Sequence, residues 1–315
     1  MVVANWNGRD LLAECLASVC NQTLQDIEVY LVDNGSSDGS VEDVRVAFPS
    51  VNVMPLGKNF GFPAACNRAI EASVSPFVAL LNNDAVADPF WAERLMDAGK
   101  DPRLGIGASK VVLFRDRSRL DSAGDSMTSV GVGFKRGHLG PADQYLDAEY
   151  VFGASGCAML LRRAMLDDVG LLDEDFFFSC EDSDLCFRAQ LRGWKCLYVP
   201  DALVYHKLNT SIGRLSGEYV YFGQRNVEYL YFKNMPRPLF WKYLPAHVLN
   251  AGLAMAYFSS KGLPMAFLRS KIDFIRSFRR VLQKRWQIQA RRTVSWEAID
   301  AFLEKRWLRS RIAGK

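Results

Sequence analysis

The first hundred residues alternate short apolar runs with amphipathic segments, and this alternation constrains the fold more than any other feature. It predicts βαβ units and a mostly parallel sheet. Apolar residues recur at helical spacing over residues 11–19, 64–72 and 90–98, which we predict to be helices. The predicted strands are residues 2–6, 27–33, 52–56, 77–81 and 104–113. We therefore predict an α/β, doubly wound sheet.

Polar residues follow the predicted strands, at the edge where ligands bind in such sheets. The first strand ends in Asn5, Trp6 and Asn7, the second runs into VDNGSSDGS, and the fourth runs into LLNNDAVAD. A dinucleotide cofactor is not expected, because no G-x-G-x-x-G follows the first strand.

Asp84 ends the buried run FVALLNND, so its carboxylate should face a cleft rather than the core. An enzyme that releases a nucleoside diphosphate must neutralise several negative charges with a divalent cation or with Arg and Lys. Asp84 is placed to hold such a cation. The alternative is a helix N-cap before Pro89, for which Asp88 is better placed.

Asp33 ends the second strand and opens a Gly/Ser turn, where a carboxylate can accept hydrogen bonds from a base or a ribose hydroxyl. An Asx-turn is the structural alternative. His206 ends another strand-like run, VPDALVYH, and could complete an oxygen-rich metal site with Asp84. A purely structural histidine is the alternative there.

A third cluster, FFFSCEDSDLCFRAQLRGW at residues 176–194, places Glu181, Asp182 and Asp184 in a predicted first helical turn. Acidic first turns also occur without function, because they complement the helix dipole. The three preceding phenylalanines would surround a carboxylate with an apolar wall and favour a raised proton affinity. A single-displacement transfer needs one general base, and we predict Asp182 for that role.

Composition narrows the class of protein further. The chain has 49% hydrophobic and 23% charged residues, which is typical of a globular protein rather than a disordered one. Its seven cysteines form no C-x-x-C pair, so we expect reduced thiols in a cytoplasmic protein. The chain begins almost inside its first strand and shows no export signal, and its true start is expected slightly upstream. Residues 115–149 are predicted to be a long functional loop.

Four strings taken in order resemble glycosyltransferase family 2, and in particular its rhamnosyltransferase branch: VDNGSSDGS, NFGFPAACNRAI, LLNNDAV and FFFSCEDSDLCFR. The resemblance covers about residues 1–235. It implies a GT-A fold, with a nucleotide-sugar half at about 1–115, an acceptor half at about 116–235, and a helical extension at 236–315. The DXD-type position reads Asn82, Asn83, Asp84, with one carboxylate rather than two.

The resemblance also implies roles for individual residues. Asp182 would be the catalytic base, and Arg188 would support the acidic helix. Asp84 and His206 would bind Mg²⁺ or Mn²⁺. The donor-binding residues would be Asn5, Asp33, Asn59, Asn83 and Asp84.

GASGCAMLLRRAM, at residues 153–165, is similar to the family's acceptor-side segment. Gly153 would leave room for a sugar, Arg162 or Arg163 would meet an acceptor phosphate, and Glu181 would lie nearby. A Gly-rich turn before a buried helix is the alternative.

The C-terminal extension mixes aromatic residues with Lys and Arg, as a helix at an anionic membrane surface does. Nucleic acid is not expected as a partner, because no recognised binding module accompanies the charge. The leading hypothesis is an inverting glycosyltransferase at the inner face of the plasma membrane. It would move a sugar, with dTDP-L-rhamnose as favoured donor, to a glycan or a polyprenyl-diphosphate-linked acceptor. The alternatives are a sugar-phosphate nucleotidyltransferase and a non-catalytic carbohydrate-binding module.

Overall fold

A computed structural model describes residues 1–208 and 216–308, so the last residues of the predicted extension, 309–315, lie outside it. The first part contains β1 (Val2–Asn5), α1 (Arg9–Cys20), β2 (Tyr30–Asp33), α2 (Ser40–Ala47), β3 (Asn52–Pro55), α3 (Phe62–Ala72), β4 (Phe77–Asn82), β5 (Ala85–Ala87), α4 (Trp91–Ala98) and β6 (Leu104–Leu113). Next come β7 (Leu120–Ala123), β8 (Asp125–Thr128), β9 (Gly133–Lys135), β10 (Glu149–Val151), β11 (Ala158–Arg162), α5 (Arg163–Val169), α6 (Glu181–Arg192) and β12 (Lys195–His206). The chain continues with α7 (Gly217–Asn234), α8 (Arg237–Ser260), α9 (Pro264–Ala290), α10 (Trp296–Phe302) and β13 (Leu303–Glu304).

One large sheet carries the fold, in the order β10-β12-β6-β11-β4-β1-β2-β3, with β5 paired to β12 and β7 to β6. Along this path only β10 and β11 run against the other strands. The predicted, mostly parallel sheet is therefore confirmed. β2 and β3 lie on one side of β1 and β4 lies on the other, so the order reverses between β1 and β4. A ligand site is expected at such a switch point.

Helices cover both faces of the sheet, because strands buried on both sides need apolar partners on both sides. On one face, α3, α5 and α6 contribute Ile70, Met165 and Leu185 to a common core. On the other face, α1 and α4 contribute Leu16 and Trp91. These two layers fix the strand ends that border the cleft.

The stretch 115–149 is not the long loop that we predicted. It contains β7, β8 and β9, and β8 pairs with both β9 and β13 in a separate small sheet. Strands of three or four residues carry too little alternation to be recognised from sequence. Their turns use Gly124 and Gly131, whose positive φ angles favour glycine.

The C-terminal region is helical, as predicted, and it packs against the rest of the chain. Phe187 of α6, Tyr231 of α7 and Leu239 of α8 share one buried cluster. Phe274 and Val281 of α9 pack with Tyr229 of α7 in another. Across the residues that the structure describes, no helix combines the length and apolarity needed to cross a bilayer.

Candidate active site

A cleft of about 200 Å³ opens at the carboxyl ends of β1 and β4, at the switch point of the sheet. Its lining is mainly amides, aromatic rings and one carboxylate. These residues are Ala4, Asn5, Trp6, Asn34, Asn59, Gly61, Phe62, Asn82, Asn83, Asp84, Phe177, Phe178 and His206. Four of the five predicted donor-binding residues are therefore brought together here, and Asp33 is the exception.

Asp33 lies beneath the cleft with 3% of its surface exposed. Its Oδ1 accepts a hydrogen bond from Asn5 Nδ2 at 3.2 Å, and its Oδ2 accepts from the backbone N–H groups of Gly35 and Ser36. The Asx-turn alternative thus describes the geometry of Asp33. Asn5 Oδ1 in turn accepts from Asn83 Nδ2 at 2.9 Å, which ties the end of β1 to the end of β4.

Asn34 was not predicted, and it organises the opposite wall of the cleft. Its Nδ2 donates to Asn59 Oδ1 at 3.0 Å and to the Gly61 carbonyl at 3.1 Å, and its Oδ1 accepts from Phe60 N. A side chain at Gly61 would collide with Phe177, whose carbonyl lies 2.4 Å from an ideal Cβ position. Gly61 therefore permits the close contact between this wall and residues 176–180 before α6, which we call the phenylalanine loop.

Asp84 follows β4 and lies beside His206, the last residue of β12. His206 Nε2 is 3.1 Å from Asp84 Oδ1, and its Nδ1 is 2.8 Å from Asp121 Oδ2. The N-cap alternative for Asp84 is wrong, because β5 separates Asp84 from α4, which begins at Trp91 without a side-chain cap. Sequence reasoning missed Asp121, which lies in the weakly patterned stretch 115–149.

Asp121 interacts with charged and polar side chains on several sides. Asp121 is fully buried, and Lys135 Nζ lies 2.6 Å from its Oδ2. Burial opposes ionisation of Asp121, but hydrogen bonds from His138 and His206 and the charge of Lys135 hold its pKa well below the usual range. Burial also opposes protonation of His206, but Cys157 and hydrogen bonds to Asp121 and Asp84 raise its pKa. Asp121 and Lys135 therefore form an ion pair behind the His206 ring.

The residues here fit a divalent cation that is shared with a bound diphosphate. Asp84 and His206 offer a carboxylate oxygen and an imidazole nitrogen 3.1 Å apart at the cleft. Residues 1–208 and 216–308 contain no cluster of three or more His, Cys, Asp or Glu that could form a complete metal site. Mg²⁺ typically takes one or two carboxylates together with substrate phosphates, and this donor set suits that arrangement.

The acidic helix α6 begins at Glu181, as predicted, and its first turn reaches the same edge of the sheet. Asp182 Oδ2 accepts from Gly156 N at 2.8 Å, and Asn82 N donates to the Cys157 carbonyl at 2.8 Å. The turn at Gly156 and Cys157 thus joins Asp182 to the end of β4. Asp182 is partly exposed, and its Oδ1 accepts a hydrogen bond from Ser183 N at 2.6 Å.

Glu181, the first residue of α6, is buried. Burial raises the pKa of Glu181 to about 8, and repulsion by Asp182 adds to the shift. Its Oε2 has no hydrogen-bond partner among the described residues, which suits a neutral carboxyl group. Asp125 was also missed. Burial raises its pKa to about 7, with a further contribution from Asp182, so three acidic residues interact at this end of α6.

The phenylalanine loop before α6 is strained. Phe177, Ser179 and Cys180 all have positive φ angles, between 60° and 71°, and such strain often marks a functional site. Asn226 of α7 holds the loop, because its Nδ2 donates to the carbonyls of Phe176, Phe178 and Ser179 at 2.7–2.9 Å.

The expected acceptor-side roles of Arg162 and Arg163 are wrong. Arg162 binds the carbonyls of Leu104, Gly99 and Asp101, and Arg163 binds those of Ile70, Ser73 and Ser75. β11 runs antiparallel to β4 and pairs Arg162 with Phe77, so its carboxyl end lies at the edge away from the cleft.

Gly153 does not leave room for a sugar either. An ideal Cβ there would lie 2.9 Å from Cys186 Cβ, so its small size serves packing against α6. Arg188 has a supporting position on that helix. It binds Asp184 at 2.9 Å and the carbonyls of Val169, Gly170 and Leu171.

Comparison with known proteins places this cleft in a family. A family model described as "Glycosyl transferase family 2" matches residues 1–170, more than half of the chain. N-acetylglucosaminyl-diphospho-decaprenol L-rhamnosyltransferase of Mycobacterium tuberculosis is 32% identical over 228 residues, which cover 64% of this chain and 74% of that protein. Chondroitin synthase of Escherichia coli is 26% identical over 234 residues, covering 66% of this chain and 34% of that protein.

Two solved structures share the fold. Mannosyltransferase PcManGT from Pyrobaculum calidifontis, in complex with GDP-Man and Mn²⁺, aligns with a TM-score of 0.53 and 18% identity over 92% of this chain and 84% of that one. GalNAc-T7 with UDP, GalNAc and Mn²⁺ aligns with a TM-score of 0.58 and 16% identity, over 74% of this chain and 49% of that one. The GT-A fold and the glycosyltransferase interpretation are confirmed, and the nucleotidyltransferase and non-catalytic alternatives are set aside. The chain belongs to glycosyltransferase family 2.

Proposed function

We propose that this protein transfers a sugar, with inversion, from a nucleotide-sugar to a hydroxyl of a glycan or polyprenyl-diphosphate-linked acceptor. One observation carries the proposal. Asp84 and His206 meet at the switch-point cleft, and the Gly156 turn ties Asp182 to the same sheet edge. The favoured donor is dTDP-L-rhamnose, and the favoured place is the inner face of the plasma membrane. The choice of sugar and of a lipid-linked acceptor is supported by the relative that, by its name, transfers L-rhamnose to a diphospho-decaprenol-linked sugar.

Each group has a defined task in the proposed reaction. Asp182 takes the proton from the acceptor hydroxyl, whose oxygen forms a bond to the anomeric carbon while the bond to the diphosphate breaks. Asn5, Asn59 and Asn83 bind and orient the nucleotide. Asp84 and His206 would hold a divalent cation, Mg²⁺ or Mn²⁺, whose charge would neutralise the leaving diphosphate.

Nucleoside diphosphate release from a panel of dTDP-, UDP- and GDP-sugars, with and without Mn²⁺, tests the proposal. The panel is run with and without a polyprenyl-diphosphate-linked acceptor. We expect one donor to be turned over, with both metal and Asp84 required, so that Asp84→Ala is inactive. Asp182→Asn should lower kcat by about 10²–10⁴-fold while donor affinity persists. Asp26→Asn, at an exposed surface position, is the matched control.

The outcomes separate the parts of the proposal. Full activity of Asp182→Asn would show that another group is the base. Turnover of a UDP- or GDP-sugar alone would correct the donor and leave the reaction class intact. Absence of turnover, together with absence of donor binding by calorimetry, would refute the function as a whole.

A further inference from the structure

Exposed apolar side chains concentrate on two C-terminal helices. Across residues 1–208 and 216–308, 21 large apolar side chains are exposed, and 12 of them lie on α8 or α9. On α9 they recur three or four residues apart and form a stripe along the helix, which is the pattern of an apolar face. The stripe consists of Met265, Leu268, Ile272, Ile275, Leu282 and Trp286, and Phe278, whose ring also packs against Phe274, lies between Ile275 and Leu282.

This stripe is separate from the face of α9 that packs inside the protein. Phe274 and Val281 are buried against Tyr229 of α7, and Ser277 accepts a hydrogen bond from the Tyr229 hydroxyl at 2.8 Å. Ile275 and Trp286 remain 69% and 75% exposed. Much of the stripe therefore remains exposed to solvent, and exposed apolar patches often mark interaction sites.

α8 adds to the same surface. A groove of about 770 Å³ lies between the two helices, with Trp241 and Leu244 of α8 facing Leu282 and Trp286 of α9. Its lining also includes three arginines, Arg237, Arg285 and Arg292. We call the α9 stripe and this groove together the hairpin face.

The charge around the hairpin face is strongly one-sided. Residues 237–292 contain twelve Arg and Lys but one carboxylate, Asp273, although the whole chain carries a net charge of only +4. Several of these cations pair with carboxylates elsewhere in the fold. Six of them form no ion pair with a described carboxylate: Arg237, Lys261, Arg269, Arg279, Arg285 and Arg292.

We propose that the hairpin face docks on an anionic lipid bilayer, with α8 and α9 lying in the plane of the interface. Apolar stripes flanked by Arg and Lys bind such surfaces, because apolar burial and attraction to anionic headgroups act together. Tryptophan favours the level of the headgroups, and Trp241 and Trp286 both line the groove. The hairpin face is the surface that contacts the membrane. The identity of that membrane rests on the proposed function.

Vesicle co-sedimentation of the full chain tests the inference, with phosphatidylcholine vesicles that contain or lack phosphatidylglycerol. Wild type should bind the anionic vesicles preferentially. The double variant Ile275→Asp/Trp286→Asp should bind at least about tenfold more weakly, because both exposed apolar anchors are lost. Val46→Asp/Val74→Asp is the matched control, since these residues are 85% and 96% exposed on the sheet domain, and it should bind within about twofold of wild type. Arg279→Gln should weaken binding by about fivefold.

Three results would overturn the inference: no binding of wild type to anionic vesicles, equal binding of the hairpin variant, or equal loss in the control variant. A wild-type dimer that Ile275→Asp dissociates, without vesicle binding, would assign the face to a second copy of the chain instead. Donor turnover in solution is measured in parallel. Vesicle binding with neither turnover nor donor binding would refute the proposed function and leave the docking surface in place.

Discussion

Asp121 offers a sharp test of the metal site, because it touches His206 and does not line the cleft. Its Oδ2 lies 2.8 Å from His206 Nδ1 and 2.6 Å from Lys135 Nζ, and its side chain is fully buried. A carboxylate in this position fixes the ring and directs the other nitrogen, Nε2, toward Asp84. The informative change is Asp121→Asn, which keeps the size and removes the charge.

The expected magnitude follows from that geometry. Loss of a carboxylate behind a metal-binding histidine typically costs about 10–100-fold in metal affinity, or about 1.4–2.7 kcal/mol. Lys135 also loses its closest counter-charge, but Asp125 still interacts with it. We therefore expect a moderate loss of folding stability, of about 1–3 kcal/mol, rather than unfolding.

Calorimetric titration of Mn²⁺ into protein saturated with a nucleoside diphosphate measures the affinity directly, independent of turnover. Asp26→Asn serves again as the control, because it removes a carboxylate from an exposed position. The reasoning is refuted if folded Asp121→Asn binds Mn²⁺ within about threefold of wild type. The same titration of His206→Ala should show a loss at least as large.

Two further predictions concern stability, and urea unfolding measures both. Burial raises the pKa of Glu181 from 4.5 to about 8, so the folded state keeps a proton that the unfolded chain releases above its own pKa. The free energy of unfolding of wild type should therefore fall relative to that of Glu181→Gln between about pH 5 and 8, by a few kcal/mol. A difference between the two proteins that stays constant with pH would contradict this. Lys233→Met leaves Asp184, which is fully buried, without one of its cations and should cost about 3 kcal/mol. Lys100→Met, at an exposed pair, should change stability by less than about 0.5 kcal/mol, and equal effects of the two would refute the prediction.

The sequence predicted the sheet and much of the cleft because both follow from long-range alternation. All five predicted strands form, and β6 has the predicted bounds. Asn5, Asn83, Asp84 and His206 share one recognisable trait, since each is polar and stands at or just after the end of an apolar run. Parallel strands bring such ends to one edge, so their proximity could be expected before the structure.

The wrong or missed predictions concern residues whose position depends on the direction of a strand or on very short strands. Arg162 also ends an apolar run, but β11 is antiparallel, and its end therefore lies at the opposite edge of the sheet. Asp121 and Asp125 lie in strands of four residues, which carry no usable pattern. The preceding phenylalanines were expected to raise the pKa of a carboxyl group, but only the folded structure shows that Glu181 is buried and that its pKa is raised.

Packed side chains connect the proposed membrane face to the cleft. α9 packs along α7, and its Lys284 binds Asp173 at 2.6 Å, just before the phenylalanine loop. α7 holds that loop through Asn226, and the loop's Phe177 lines the cleft. Close-packed protein interiors have low compressibility, so these contacts hold the cleft at a fixed position relative to the hairpin face. If the hairpin face rests on a bilayer, the cleft must therefore stand at a fixed height above it, and that height would select acceptors whose sugar is presented at the same distance from the lipid.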